Sequence, residues 1–173
     1  ENMLYARDGL MIGICNGFQA LIKLGLVPFG KIVPLSGESP TLTYNTIGRH
    51  QSQLALTKIC TNKSPWLMHC KVGEVYNIPI SHGEGRFVAS DEVIAKLIEN
   101  GQIATQYVDL NGEPTMELAY NPNSSMCAIE GIISPDGRVL GKMGHTERIS
   151  TDTCVNVDGN KEQLLFKGGV DYF

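Results

Sequence analysis

Residues 10–25, LMIGICNGFQALIKLG, decide the fold. Leu10 to Ile14 is a short apolar run of β-compatible residues. Asn16 to Leu24 then reads as a helix with Leu21, Ile22 and Leu24 on its inner side, closed by Gly25 at the C′ position. Strand followed at once by helix places Cys15 on the bend between them. Such a bend strains the backbone, and side chains at Gly13 and Gly17, two positions either side, are expected to collide across it. A free cysteine at a strand end is most often one more small buried hydrophobe; the two glycines and the helix start favour an exposed nucleophile instead.

The position suggests the chemistry. A thiol at a helix N-terminus meets the positive end of the helix dipole and unpaired N–H groups, which favours the reactive thiolate. The N–H of Asn16 points at the oxygen of any carbonyl that Cys15 attacks, half of an oxyanion hole. A cysteine nucleophile needs a base and a group to orient it. Of His50, His69, His82 and His145, only His145 has a carboxylate in a useful place. Arg138 to Met143 (RVLGKM) alternates like a strand leaving a Pro135-Asp136-Gly137 turn, and runs into Gly144-His145-Thr146-Glu147-Arg148. In extended backbone, residues two apart share a side, which puts Glu147 beside His145. Taken alone, the same residues also read as a solvated turn.

At this point a resemblance enters. Gly13-Ile14-Cys15-Asn16-Gly17-Phe18-Gln19 with Gly144-His145-Thr146-Glu147-Arg148 resembles the triad, or class I, glutamine amidotransferase family. Ile80-Ser81-His82-Gly83-Glu84-Gly85-Arg86-Phe87, Tyr120-Asn121-Pro122-Asn123-Ser124 and Gly137-Arg138-Val139-Leu140-Gly141 resemble its phosphoribosylformylglycinamidine synthase branch. The run Leu164 to Phe173 (LLFKGGVDYF) is similar to the tail of the large single-chain form. The likeness spans essentially the whole chain, read as one glutaminase domain over residues 1–173.

The resemblance implies that Cys15 attacks the carboxamide of glutamine, expels ammonia and leaves a thioester that water hydrolyses. His145 protonates the ammonia and then activates the water, and Glu147 orients His145. Gln19 matches the family position against bound glutamine, and Asn45, Arg49 and His82 are carried over as neighbours of that pocket. The ammonia would pass to synthetase domains of the same polypeptide, which use ATP and magnesium; no cofactor is implied in this domain. Two departures stand out. Gly144 and Thr146 occupy places where the family usually has prolines, which loosens the backbone around His145. The chain also reaches its nucleophile by residue 15, without the glycine-rich loop that completes the family's oxyanion hole. It is therefore expected to be N-terminally truncated, weak or inactive alone, and self-associating through an uncovered sheet edge.

Composition is consistent with this. At 173 residues and 42% hydrophobic, one domain with a real core is expected. A net charge of −4 argues against a nucleic-acid partner. No apolar run has the length of a membrane span and no signal-peptide pattern is present, which fits a cytoplasmic protein. Five cysteines without regular spacing suggest no disulfide framework, and His69, Cys70 and His82 fit no zinc pattern, so no metal is expected. Gly83 and Gly85 make no phosphate loop, because no Gly-Lys-Ser/Thr follows.

The remaining pattern predicts strands near 53–60, 67–73, 78–81, 103–109 and 115–120. It also predicts a helix from Asp91 to Asn100 capped by Ser90 or Asp91, with Val93, Ile94, Leu97 and Ile98 inward, and a hairpin of Cys127–Ser134 with Arg138–Met143. A terminal helix is expected to begin over Lys161–Lys167. Together these predict an α/β fold, doubly wound and flavodoxin-like, with a mixed sheet, of the class I glutamine amidotransferase type. Two other readings remain open. One is another elbow-type cysteine hydrolase, although its relatives carry histidine where this chain has Asn16. The other is a non-catalytic fragment.

Overall fold

A computed structural model describes residues 1–173. Its centre is a six-stranded mixed sheet in the order β1-β8-β7-β6-β3-β4. The strands are β1 (Met11–Ile14), β3 (Gln51–Ile59), β4 (Val75–His82), β6 (Ile103–Tyr107), β7 (Ile129–Ile133) and β8 (Val139–Lys142). β1 and β8 run parallel, with Gly13 opposite Gly141 and Ile14 opposite Lys142; every other neighbouring pair is antiparallel. A separate two-stranded ribbon joins β2 (Thr41–Thr43) to β5 (Arg86–Val88).

Both faces of the sheet are covered. Helices α1 (Asn16–Leu24), the one-turn α2 (Leu26–Phe29) and α3 (Asp91–Glu99) form a core with Phe18, Leu21, Ile94, Leu97, Ile132 and Val139. On the other face Leu67, Leu165, Ile133 and Leu140 belong to a second cluster. Ile132 and Ile133, and likewise Val139 and Leu140, thus go to opposite sides, as the alternation of strand side chains requires. The second face is covered by a 3₁₀ turn, Pro65–Leu67, and by α4 (Leu165–Asp171). There Gly168 lies against the Pro65 and Trp66 carbonyls and Gly169 against the indole ring, so side chains at either position would hold the helix off.

Local signals account for the helix ends. Gly25 closes α1 at φ 81°, the left-handed conformation that glycine adopts without a side-chain clash. Of the two proposed caps, Ser90 is the one used: its hydroxyl accepts from the Val93 N–H, ahead of Asp91 and Glu92 in the first turn.

Several expectations are corrected. Residues 67–73 form no strand; Pro65 starts a 3₁₀ turn instead. Residues 115–120 form no strand either: Pro114 makes a single bridge to Val108, and the chain then turns. Cys127 lies in a 3₁₀ turn before β7, and Lys161–Leu164 is irregular before α4. Phe18, not Leu24, fills the inner face of α1, and Ile98 of α3 points to solvent.

Candidate active site

Cys15 sits where the sequence places it, between the end of β1 and the first turn of α1. Its backbone is at φ 53°, ψ −105°, a conformation that costs a non-glycine residue on the order of 1–3 kcal/mol. The surroundings hold it there. Its N–H donates to the Lys142 carbonyl at 2.8 Å, and its carbonyl accepts from Gln19 N–H at 3.1 Å. Gly13 is needed for the bend: a Cβ there would lie 2.5 Å from Leu21 Cδ1 and 2.7 Å from the Gly17 backbone. Gly17 is not. Nothing lies within 4 Å of where its Cβ would be, so only one of the two glycines has the expected steric role.

The thiol is half-buried and donates to the Ser81 carbonyl on β4 at 3.6 Å. Burial raises its pKa above the ordinary thiol value; the Asn16 N–H and the Arg148 charge oppose that shift, and Glu147 adds to it. The expected ready thiolate is therefore corrected: the helix N-terminus is outweighed by desolvation, and the resting group is a thiol that needs a base.

The loop that carries His145 follows β8. His145 N–H donates to the Pro79 carbonyl at 2.8 Å, two residues from the carbonyl that Cys15 contacts. The His145 and Glu147 side chains meet, Nδ1 to Oε1, at 2.5 Å. The reason differs from the extended backbone expected: Thr146–Arg148 is a 3₁₀ turn, and His145 caps it. The His145 side chain is 8% exposed, and its other nitrogen, Nε2, is buried without a hydrogen-bond partner. One ring nitrogen is thus fixed by a carboxylate while the other is left free for a proton, the arrangement that general acid–base work requires.

The remaining predicted residues surround the loop 81–85. Gln19 Nε2 donates to the Glu84 carbonyl at 2.6 Å. Asn45 is buried; its amide donates to the His82 carbonyl at 2.8 Å and the Arg49 carbonyl at 3.0 Å, while its Oδ1 has no partner. His82 is buried against Gly85 with neither ring nitrogen bonded, and desolvation lowers its pKa to about 4, so it is neutral at pH 7. Arg49 is the exception: its guanidinium is exposed, and only its carbonyl is engaged. The Tyr120–Ser124 motif is a scaffold. Asn123 donates to the Gly85 carbonyl at 2.7 Å and to the Tyr107 hydroxyl at 3.3 Å, and Asn121 ties the same turn to Ser125.

Sequence reasoning missed Ser81, whose carbonyl faces the thiol, and the buried pair Lys142 and Glu130 beneath His145. The available signal was a charge in each of two short, otherwise apolar strand segments. No group of three or more His, Cys, Asp or Glu side chains is arranged to hold a metal ion, and no helix is long and apolar enough to cross a membrane.

Comparison with known proteins agrees with this geometry. The chain matches the model of the CobB/CobQ-like glutamine amidotransferase domain over residues 1–173. It is 37% identical over 158 residues to phosphoribosylformylglycinamidine synthase subunit PurQ of Moorella thermoacetica, covering 91% of this chain and 61% of that one. The Aquifex aeolicus subunit of the same name is 37% identical over 156 residues, 90% of this chain and 63% of the relative. The solved structure of PurLQS from Thermotoga maritima superposes with a TM-score of 0.68 at 28% identity, covering 96% of this chain and 64% of that one. The chain therefore spans a little over three fifths of the length of these relatives. Elbow, sheet and sequence lead to one assignment: the chain belongs to the CobB/CobQ-like glutamine amidotransferase domain family.

Proposed function

We propose that this chain is the glutaminase part of a phosphoribosylformylglycinamidine synthase, which hydrolyses glutamine through a thioester on Cys15 and supplies ammonia to purine biosynthesis. Relatives at 37% identity carry that enzyme's name, which supports the reading. The observation that carries it is the orientation of His145, with Nδ1 held by Glu147 and Nε2 unpartnered, on a loop tied to the Pro79 carbonyl two residues along the strand from the Ser81 carbonyl that the Cys15 thiol contacts.

In this reaction His145 Nε2 takes the thiol proton as Sγ attacks the amide carbon. The oxygen becomes negative and is received by the Asn16 N–H at the start of α1. The imidazolium then gives its proton to the departing amide nitrogen, which leaves as ammonia and closes the thioester. A water loses a proton to the same Nε2, attacks the thioester carbon, and glutamate departs as the proton returns to sulfur. Glu147 holds the tautomer and stabilises the imidazolium without being protonated. Because burial keeps Cys15 a thiol at rest, the base is needed in the first step.

Gln19, Asn45 and His82 are assigned to the glutamine side of the site; Arg49 is its weakest member, being exposed. ATP and magnesium are assigned to the synthetase part. The LLFKGGVDYF run favours a single polypeptide, in which the ammonia passes to synthetase domains of the same cytoplasmic chain. β1 stands at an edge of the sheet, which supports self-association of the domain when it is separated from those partners. The test is mass spectrometry after treatment with a glutamine-mimicking diazoketone. Labelling of Cys15 that glutamine prevents is expected; labelling elsewhere removes the assignment.

A further inference from the structure

Lys142 is the last residue of β8 and is buried, its side chain 1% exposed beside a Glu130 side chain at 0%. Taking two charges out of water is costly, and a buried ion pair is often replaceable by apolar residues without loss of stability. Its presence under the base loop therefore calls for a reason other than core stability.

The contacts supply one. Lys142 Nζ donates to the Gly144 carbonyl at 3.0 Å, to Thr146 Oγ1 at 2.9 Å and to Gln163 Oε1 at 3.2 Å, with Glu130 Oε1 at 3.6 Å. Glu130 Oε1 accepts from the Gly144 N–H at 2.5 Å, and its other oxygen accepts from the Thr105 hydroxyl. The Thr146 hydroxyl donates to Gln163 Oε1 at 2.7 Å. The residues on both sides of His145 are thus held by one buried network: Gly144 at its N–H and its carbonyl, Thr146 at its hydroxyl. Gly144 is the residue that admits the network, because a Cβ there would lie 2.9 Å from Glu130 Oε1 and 2.8 Å from Ile78 Cγ2. The same lysine reaches the nucleophile through its main chain, since its carbonyl accepts the Cys15 N–H at 2.8 Å.

We propose that Lys142 is a positioning residue for the reaction: its carbonyl seats the Cys15 elbow while its ammonium, shared with Glu130, Thr146 and Gln163, fixes the loop that carries His145. This rests on the reading of His145 as the base, so His145→Asn is included as a reference.

The experiment measures kcat and KM for glutamine hydrolysis in the full-length protein, with thermal unfolding of every variant. Lys142→Met combined with Glu130→Gln removes both charges together, so that neither is stranded. A folded double variant is expected to lose kcat by about a hundredfold, the scale of a displacement of roughly 1 Å in a reacting group, with KM within about twofold. Thr146→Val keeps the volume and is expected to lose about tenfold in kcat, with Thr146→Ser restoring most of it. A folded double variant with kcat within about twofold of the parent overturns the proposal. If the double variant does not fold, Thr146→Val decides: unchanged kcat overturns it, and a loss that serine restores supports it. Turnover that survives His145→Asn overturns the reading of the base instead, whatever the lysine variants do.

Discussion

The two glycines that flank Cys15 differ in a way that one pair of substitutions separates. Gly13 sits on β1, pinned by its pairing with Gly141 on β8, and a Cβ added to it would lie 2.7 Å from the backbone of Gly17. Ordinary contact begins at 3.4 Å, so the first turn of α1 must retreat by about 0.7 Å, or β1 must leave its ladder. Leu21 Cδ1, the other obstacle at 2.5 Å, is a side-chain end that can rotate; the Gly17 backbone is not. Overpacking of this kind costs on the order of 1–3 kcal/mol, which for a chain of this size lowers Tm by about 3–10 °C. The retreat carries Cys15 and Asn16 with it, so Gly13→Ala is also expected to reduce glutaminase turnover by roughly ten- to a hundredfold. Gly17→Ala should behave in the opposite way. Its Cβ enters open space in the first turn of a helix, where alanine is favoured over glycine by about 0.5–1 kcal/mol, and Tm should rise by a few degrees. Thermal unfolding followed by circular dichroism, together with a glutamate-release assay on the full-length protein, reads both effects. If Gly13→Ala unfolds at the parent temperature, or Gly17→Ala loses as much as Gly13→Ala, the account of the elbow is wrong.

Three further outcomes follow from the same geometry. Glu147→Gln leaves the shape of the base loop but removes the charge that orients Nδ1 and stabilises the imidazolium, so kcat should fall by roughly 10²–10⁴-fold while the fold persists; a loss smaller than about threefold would show that Glu147 is a bystander. Burial holds the Cys15 thiol above its ordinary pKa, so the thiolate absorbance that Cys15→Ser removes should titrate above the range of a free cysteine thiol, and a midpoint below that range would contradict the electrostatics described. His82, depressed to about 4 against an unfolded value near 6.5, contributes stability that is complete above pH 6.5 and is lost as the pH falls through 4. That loss reaches about 3 kcal/mol at pH 4, so urea midpoints for the parent should fall more steeply over this range than those for His82→Leu, and equal slopes would refute it.

Local features were legible wherever one short stretch contained all the determinants. The elbow needs only a strand, a cysteine and a helix start in succession, and the β7–β8 hairpin needs only Pro135-Asp136-Gly137 between two apolar runs. Errors arose where tertiary context decides. Thr115 to Ala119 alternates polar and apolar residues like a strand, yet Met116 and Leu118 remain exposed because no sheet edge is there to receive them. Leu24 fits the helical periodicity of α1 as well as Phe18 does, but only Phe18 meets a cavity, the one left by the missing side chain of Gly141. Periodicity gives a face; it does not say how far round the helix the covering layer extends.

The site divides along the same line. The contact between His145 and Glu147 was recoverable because they are two residues apart, even though the turn that joins them is 3₁₀ rather than extended. Lys142 was passed over because RVLGKM, read as a strand with one wet face, gives its lysine to solvent. β8 has no wet face: Val139 and Leu140 are buried on opposite sides, and Lys142 with them. A lysine in such a strand has no solvent to reach, so it must either be discharged or be met by a carboxylate and acceptors from elsewhere in the chain. Those partners come from positions 130, 146 and 163, and no local window contains all of them. Once β7 and β8 are known to be central, however, the two charges become conspicuous, because an unpaired Glu130 in IEGII would be as costly as an unpaired Lys142. Two opposite charges in adjacent buried strands must find each other, and the loop that leaves one of those strands carries His145. The pairing thus lies under His145 as a consequence of topology, which is why testing Lys142 tests the organisation of the site rather than one more contact in it.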